Sequence, residues 1–297
     1  MSAAKRTAAA VGKFDGLHAG HMKLISALKE RADEYNLDTV VFSFCPQPAE
    51  FFTGETVKGI YSRDEKRKMM KDAGVGRFIE YPFEKIKDMS PGEFVEKILR
   101  GEFLCGALVI GEGFRLGKGR SGGAGELSRV CRPLGISLVE VKNAESGGEA
   151  VSSSRIKKLL ACGDIPGANE LLGRAYSVSG EVRAGSGIGR GIGFPTANAG
   201  LPDDKFLPRD GVYRTVTLCD GGEYKSVTNI GTNPTVRENA GTGEKKCETH
   251  IIGLDKNIYG REIKINFYEF MRDEKKFGSL GELKKQIEAD VYQVKKG

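Results

Sequence analysis

Two hydrophobic periods alternate along the first half of the chain. Apolar runs at 8–11 and 39–44 have the length and composition of buried strands. The first run is followed by apolar residues at the spacing of one helix face, namely Met22, Leu24, Ile25 and Leu28. Further buried strands are predicted at 78–81, 107–110 and 137–141. Strands and helices that alternate in this way predict a parallel sheet with helices on both faces.

The pattern changes character near Tyr176. From there to Met271, short strands are separated by clusters of Gly, Pro, Asn and Asp. In one of them Ile263, Ile265 and Phe267 alternate with polar neighbours, which is the period of a half-buried strand. This half therefore predicts a small antiparallel β-domain that closes into a barrel.

Three more helices are predicted at 153–160, 164–172 and 279–294, and a loop at 144–150. The fold class expected from these elements is α/β followed by all-β. A Rossmann-like α/β domain is expected over 1–174. A small antiparallel β-barrel that ends in a helix is expected over 175–297.

Composition limits the partners and the location. The 297 residues suffice for two domains, and 46 Lys and Arg against 40 Asp and Glu give a net charge of +6. This mild excess suits small anionic ligands, but no dense basic run accompanies it, so nucleic acid is not expected as a partner. Six cysteines without a C-x-x-C pair favour reduced thiols in the cytoplasm. The short apolar start is interrupted by Lys13, and no apolar run reaches about 18 residues, so neither secretion nor a membrane partner is expected.

The stretch GKFDGLHAGH, residues 12–21, holds two of the three histidines and follows the first predicted strand. In a doubly wound sheet, ligands bind where a strand turns into the next helix. The glycines of this turn allow close approach of a ligand, and a helix starting near Ala19 directs N–H groups at the same point. His18 and His21 would add donors to phosphate oxygens. A structural turn is the plain alternative, and zinc lacks a third cysteine or histidine nearby in the sequence.

The order H-x-G-H after a first strand resembles the nucleotidyltransferase superfamily, whose paired histidines bind ATP phosphates and stabilise the transition state of nucleotidyl transfer. A second segment, SSSRIKKLL at 152–160, resembles the SSTxIR segment that the superfamily places at a later helix start, facing the phosphates. Serine is also a common helix cap. Ser153 and Ser154 can therefore be an ordinary helix start, a ligand contact or both.

A glycine-rich loop precedes FPTAN in GSGIGRGIGFPTAN, residues 185–198. It is not a Walker A loop, because no G-K-[ST] follows, and a flexible hairpin is the alternative. Thr196 and Asn198 lie two residues apart, so on an extended segment their side chains face the same way. A hydroxyl and an amide oxygen together suit Mg²⁺.

Farther along, CETHIIGL contains Glu248 and the third histidine, His250, on a predicted strand. A strand glutamate usually faces solvent, so this motif alone is a weak signal. The two-residue spacing puts His250 on the same side as Glu248. No role is assigned to His250.

Together these segments resemble the prokaryotic bifunctional riboflavin kinase/FMN adenylyltransferase family from about Thr7 to Val291. The second half matches in order at GDIPGANELLGRAYSVSGEV, GFPTAN, GVY, NIGTNPT, ETHI, IYGREIKINF and MRDEKKFGSLGELKKQIEAD. The resemblance implies that riboflavin and ATP give FMN, and that FMN and ATP then give FAD and pyrophosphate. It implies Mg²⁺ as the cofactor used with ATP.

The resemblance also implies roles for single residues. Glu248 matches the kinase base, Thr196 and Asn198 match the pair contacting Mg²⁺ and ATP phosphates, and Arg272 matches an arginine near the flavin. Further ATP-binding candidates of the kinase are Gly187, Gly189 and Arg190. The ATP-binding candidates of the adenylyltransferase are Gly12, Phe14, Asp15, Gly16, His18, His21, Ser153, Ser154 and Lys157. Its catalytic candidates are His18 and His21.

The adenylyltransferase half departs from the family pattern at several positions. Gln47 stands where the family usually has His, Gly113 where Asp or Asn is expected, and Lys157 where Arg is expected. Lysine keeps the charge but loses the bidentate fork of arginine. Two alternatives stay open: a monofunctional riboflavin kinase with a degenerate first module, and a flavin-binding regulatory protein without turnover. The presence of Glu248, Thr196 and Asn198 together favours an enzyme, because a binding protein needs no base.

Overall fold

The computed structural model describes residues 6–185, 187–232 and 245–296, which form two compact units. The first unit comprises Met1–Gly59 and Arg63–Ser152, and the second comprises Ile60–Ser62 and Ser153–Gly297. Ser186 and the last three residues of the NIGTNPT motif lie outside the described residues. No helix within the described ranges combines the length and apolar character that crossing a bilayer requires.

The first unit is a five-stranded parallel sheet in the order β3-β2-β1-β4-β5. In chain order its elements are β1 (Thr7–Val11), α1 (Ala19–Glu34), β2 (Asp38–Cys45), α2 (Pro48–Thr53), α3 (Arg63–Asp72), β3 (Arg77–Pro82), α4 (Pro91–Glu93), β4 (Cys105–Gly111), α5 (Ala124–Cys131), β5 (Ser137–Val141), β6 (Glu145–Ser146) and β7 (Glu149–Ala150). Helix α4 continues as a π-helix over Phe94–Glu102. The α/β prediction for this half is confirmed.

Strand β1 is buried along its whole length, as expected for the central strand of a sheet covered on both faces. Ala8 and Ala10 belong to the apolar cluster that contains the buried face of α1. Ala9 and Val11 belong to the opposite cluster, which contains Phe94 of the π-helix. Alternate residues of one strand thus serve two helix layers.

The stretch 144–150 is not a loop, so this prediction was wrong. Strands β6 and β7 pair there as a short antiparallel hairpin. Gly147 and Gly148 connect them with φ angles of 63° and 77°. Two successive residues with positive φ are what a two-residue hairpin turn of type I′ requires.

The second unit contains a closed barrel of six strands in the order β10-β11-β12-β9-β8-β13. In chain order its elements are α6 (Ser153–Cys162), α7 (Ile165–Leu172), β8 (Tyr176–Arg183), α8 (Ile188–Gly191), β9 (Ala197–Ala199), β10 (Gly211–Cys219), β11 (Gly222–Thr232), β12 (Lys245–Ile251), β13 (Glu262–Arg272) and α9 (Leu280–Lys296). The predicted barrel and its closing helix are confirmed.

The barrel interior has an apolar part and a hydroxyl part. Tyr176 and Tyr213 each contact the ring of Phe267, with centroids 5.5 and 5.3 Å apart. Beside them, five fully buried hydroxyl side chains bond to one another at 2.7–2.9 Å: Thr215, Thr217, Ser226, Thr228 and Thr249. Because each hydroxyl has a partner, burial of these polar groups costs little.

Helix α9 packs on the outer wall of the barrel. Val291 and Val294 form a buried cluster with Val212 of β10 and Val227 of β11. Helix α7, which precedes the barrel strands in the chain, also packs on the barrel. Its Asn169 donates to the Phe267 carbonyl at 2.9 Å and accepts from the Tyr176 N–H at 2.6 Å.

The compact units therefore divide between Ser152 and Ser153, about twenty residues before the boundary expected from the sequence. Helices α6 and α7 cluster with the barrel. The functional domain boundary at 174/175 stays a prediction.

We expect a fragment over 153–297 to be more stable than one over 175–297. Ile165, Leu171 and Leu172 of α7 are at most 2% exposed, and burial of each contributes about 1.5–3 kcal/mol. Urea unfolding of both fragments should show a clearly higher free energy of unfolding for the longer one. Equal stabilities would mean that α7 does not support the barrel.

Candidate functional site

The turn from β1 to α1 is held by its apolar residues. Phe14 and Leu17 are each 1% exposed. Both have positive φ, 51° and 38°, and Gly16 between them has a φ of 88°. Residues other than glycine rarely adopt a positive φ. Burial of the Phe14 and Leu17 side chains therefore holds the backbone of the turn in this conformation. Gly12 contributes space: a Cβ there would lie 3.1 Å from the Phe14 ring.

The imidazole rings of His18 and His21 stack at the start of α1. Their centroids are 3.8 Å apart with an angle of 28° between the planes. His18 precedes the first residue of the helix and is buried, and His21 also contacts the Phe14 ring at 5.2 Å. The first turn of a helix offers N–H groups and the positive end of the helix dipole. The two rings therefore flank a place suited to an anion.

Asp15, the acidic residue of the turn, interacts electrostatically with Lys66 of α3. The Lys66 side chain is buried, and its Nζ lies 3.8 Å from the Glu80 carboxylate on β3. Burial lowers the pKa of Lys66, and the charges of Glu80 and Asp15 oppose that effect. Asp15 is thus linked to a buried ion pair of the sheet.

A cavity of about 490 Å³ lies against the turn, with Gly12 in its wall. Aromatic side chains supply much of the wall: Phe44, Phe52, Phe83, Phe94 and Phe114. Four cationic residues also line it: Lys13, Lys87, Arg115 and Arg120. The lining fits a ligand that combines a flat aromatic ring with negative charge.

Two departures from the family pattern have distinct surroundings. Gly113 lines the same cavity with a φ of 72°, and a Cβ there would meet no atom within 4 Å. An Asp or Asn side chain therefore has room, and these residues tolerate positive φ better than most. Gln47 caps α2, and its N–H donates to Glu50 at 2.7 Å.

Ser153, Ser154 and Lys157 lie on the first two turns of α6, which belongs to the second unit. Lys157 Nζ is 5.8 Å from the ring centroid of Phe206, within the range of a cation–π contact. The histidine turn belongs to the first unit. A shared role of these residues in binding ATP stays a prediction.

The second unit aligns several kinase candidates on the outer face of the barrel. Asn198 of β9 pairs directly with Glu248 of β12, and Asn229 of β11 pairs with Glu248 from the other side. Such directly paired side chains have Cβ atoms about 4.5–5.5 Å apart. Their strand neighbours Cys247 and Thr249 are buried inside the barrel. We call Asn198, Glu248 and Asn229 the outer row.

Thr196 lies one residue before β9 and alternates with the buried Ala197 and Ala199, as Asn198 does. The two polar side chains therefore face the same way, as the sequence pattern predicts. Their hydroxyl and amide oxygens are the hard donors that Mg²⁺ accepts. The described residues contain no group of three or more His, Cys, Asp or Glu side chains that could hold a metal. Most ligands of an ion here would therefore be phosphate and water oxygens.

The neighbours of Glu248 on its own strand are Cys247, Thr249 and, two residues away on the same side, Lys246 and His250. Burial raises the pKa of the neighbouring Cys247 thiol to about 12, so that thiol stays neutral. His250, two residues away, has Nδ1 2.8 Å from the Pro195 carbonyl oxygen and meets the Phe194 ring edge-on at 5.2 Å. The histidine to which the sequence assigned no role thus contacts the segment that precedes Thr196.

Asn229 and Glu274 were not singled out from the sequence, although both lie in quoted motifs. Asn229 Nδ2 donates to Glu274 Oε1 at 2.8 Å. A Cβ at Gly231 would collide with the same carboxylate, so Glu274 lies close against β11. Only the pairing of β11 with β12 reveals that Asn229, and with it the carboxylate bound to Asn229, belongs to the neighbourhood of the outer row.

Arg272, the expected flavin contact, is engaged with the closing helix. Its guanidinium donates to both carboxylate oxygens of Asp290, with Nε 3.0 Å from one and an NH2 nitrogen 2.6 Å from the other. The Asp290 side chain is 5% exposed. A bidentate buried pair of this kind fixes α9 to the end of β13. Contact of Arg272 with a flavin stays a prediction.

A second cavity, about 650 Å³, lies at the end of the barrel. Its lining includes Thr196, Arg190, Thr249, Lys256 and Tyr259. Arg190 lies 5.8 Å from the Tyr259 ring centroid. Gly187 and Gly189 lie next to Arg190 around α8, with Gly187 at a φ of 73°. The structure thus brings Arg190 and Thr196 to one cavity.

Family comparisons agree with these two units. A family model for riboflavin kinase matches residues 172–297, and one for FAD synthetase matches residues 1–155. The chain is 34% identical to the bifunctional riboflavin kinase/FMN adenylyltransferase of Pseudomonas fluorescens, over 95% of this chain and 90% of that protein. It is 33% identical to the protein of the same name from Bacillus subtilis, over 96% and 90%. The chain belongs to the bifunctional riboflavin kinase/FMN adenylyltransferase family.

Membership of this family confirms the resemblance drawn from the motifs. The structure is also similar to the crystal structure of a macrolide-efflux protein from Streptococcus pneumoniae, with a TM-score of 0.85 and 26% identity over 98% of this chain and 94% of that one. Efflux is what the name of that protein describes. The two proteins share a fold, and the similarity assigns no efflux activity to this chain.

We expect Gly16→Ala to destabilise the first unit by about 1–2 kcal/mol, because a side chain at positive φ is strained. Gly125→Ala on α5 is the matched control, since it has no positive φ and a Cβ there meets no atom within 4 Å. Thermal unfolding of both variants measures the difference. A Gly16→Ala protein as stable as the control would contradict the conformation of the turn.

Proposed function

We propose that the chain makes FAD in two steps, with riboflavin phosphorylated in the second unit and the resulting FMN adenylylated in the first. The outer row carries the kinase assignment, because strand register sets a carboxylate beside the side chains suited to a metal–nucleotide. The family models that match the two units support this division of labour.

In the kinase step, the terminal hydroxyl oxygen of the ribityl chain attacks the γ-phosphorus of ATP, and ADP leaves as the bridging P–O bond breaks. Glu248 orients the hydroxyl and accepts its proton late in the reaction. Phosphoryl transfer depends mainly on positioning and charge neutralisation, so an ordinary carboxylate suffices as the base. Thr196 and Asn198 would hold Mg²⁺, which neutralises charge on the ATP phosphates.

The ATP of the kinase step is assigned to the cavity at the end of the barrel. Thr196 lines this cavity and also lies beside the outer row. Arg190 and Lys256 add positive charge to its lining. The triphosphate would thus extend from the cavity toward Glu248, where the phosphoryl group is transferred.

In the second step, a phosphate oxygen of FMN attacks the α-phosphorus of ATP, and pyrophosphate leaves. His18, His21 and the first turn of α1 donate hydrogen bonds to the phosphate oxygens on which charge develops. The aromatic cavity beside the turn takes the isoalloxazine ring, and its cations meet the FMN phosphate.

The two alternatives predict different products. A monofunctional kinase would stop at FMN, and a binding protein would form neither FMN nor FAD. Incubation with riboflavin, ATP and Mg²⁺, followed by separation of the flavins, distinguishes all three. The stacked histidines and the aromatic cavity favour an active adenylyltransferase, since both parts of that site are present.

The proposal includes a cytoplasmic location and no nucleic-acid partner. All six cysteines lie in described ranges and are free thiols, which suits a reducing compartment. The net charge of +6 suits anionic substrates such as ATP and FMN.

Glu248→Gln should lower FMN formation by about 10²–10⁴-fold, the usual contribution of a positioned base. Conversion of supplied FMN to FAD should stay close to that of the parent. Glu262→Gln, an exposed glutamate at the start of β13, is the control. Kinase activity within a few-fold of the parent would remove Glu248 from the mechanism.

His21→Ala should lower FAD formation from FMN by about 10²–10³-fold, the cost of losing one donor to transition-state charge. Riboflavin phosphorylation should persist. Lys23→Ala, on an exposed position of the same helix, should change neither reaction. An unchanged rate of FAD synthesis in His21→Ala would defeat the phosphate-binding role of the turn.

A further inference from the structure

His250 stands where the pairing of β9 with β12 ends. The last paired residues in that direction are Ala197 and Thr249. When the antiparallel register is continued by one residue, Thr196 comes opposite His250, as Asn198 lies opposite Glu248. Thr196 is thus beyond the backbone ladder that holds Asn198 in place.

Pro195 explains why the ladder stops there. Proline has no N–H, so it cannot donate a further ladder bond. The His250 side chain supplies the missing attachment, with Nδ1 2.8 Å from the Pro195 carbonyl oxygen. A carbonyl oxygen only accepts, so Nδ1 is the donor and the contact requires its proton but no charge.

The ring of His250 makes a second contact one residue earlier. It meets the Phe194 ring edge-on, with centroids 5.2 Å apart. Phe194 also packs against the valine cluster beneath α9, and its N–H donates to the Gly189 carbonyl at 2.8 Å. Because Phe194 is held independently, loss of His250 frees the Pro195 carbonyl without releasing the whole segment.

We propose that His250 is a positioning residue of the kinase site, which fixes the Thr196 hydroxyl relative to the Glu248 carboxylate. The inference rests on the proposed function, since it takes Thr196 as a ligand of the metal–nucleotide. His250 acts through Pro195 and does not contact riboflavin. Loss of His250 therefore raises the Mg²⁺ concentration that the kinase reaction needs and leaves the affinity for riboflavin unchanged.

Two substitutions separate the parts of the ring. His250→Phe keeps a ring against Phe194 but removes the donor. His250→Asn removes the ring but keeps an N–H near the place of Nδ1. Lys246→Gln is the matched control, because Lys246 is an exposed residue on the same side of β12.

The full-length variants are compared by three measurements. In His250→Phe, the Mg²⁺ concentration at half-maximal kinase rate should rise about tenfold, the effect of one lost hydrogen bond. Hydrogen exchange of peptides covering 194–199 should become faster. The affinity of His250→Phe for riboflavin, measured by quenching of riboflavin fluorescence, should equal that of the parent. His250→Asn should restore the first two readouts to within about threefold of the parent, and Lys246→Gln should match the parent.

The combination with Thr196→Ala tests whether His250 acts through Thr196. If it does, the double variant is no more impaired than Thr196→Ala alone. An additive further loss, or a His250→Phe protein with the Mg²⁺ dependence of the parent, overturns the role of His250. A Thr196→Ala protein with unchanged Mg²⁺ dependence overturns instead the proposed metal ligand, so the two failures are distinguishable.

Discussion

The pairing of β9 with β12 is the constraint on which the proposed kinase site depends. Strand β9 is only three residues long, yet its register alone sets Asn198 beside Glu248. A slip of one residue would turn Asn198 into the barrel and an alanine out of it. Ala197 and Ala199 are buried on the inner face, and their small apolar side chains specify which residue points outward.

Much of the fold could be predicted because its signals are local. The run at 8–11 lies in a central strand buried on both faces, and Ile263, Ile265 and Phe267 do point into the barrel. The hairpin at 145–150 was missed because two-residue strands are too short to show a period. The association of α7 with the barrel rests on Asn169 and on a buried apolar face. A helical pattern in the sequence shows that such a face is buried but not whether it packs on the parallel sheet or on the barrel.

The sites divide in the same way. His18 and His21 share one turn, and Thr196 and Asn198 share one face, because sequence spacing fixes such relations. Asn229 and the contact of His250 with Pro195 depend on which strands become neighbours when the barrel closes. The chain separation between such residues gives no hint of that closure.

The buried hydroxyls of the barrel have a consequence for how its sequence can change. Thr228 of β11 donates its proton to Thr249, directly opposite it on β12, and Thr215 bonds to both Ser226 and Thr228. Replacement of Thr228 by valine would keep the shape but strand the buried hydroxyl of Thr249 on the next strand. Exchange of Thr228 and Thr249 together for apolar residues would strand no hydroxyl, because Thr215 keeps its bond to Ser226. Among related chains, the barrel interior should therefore vary in cross-strand pairs, so that its covariation records the register of the strands.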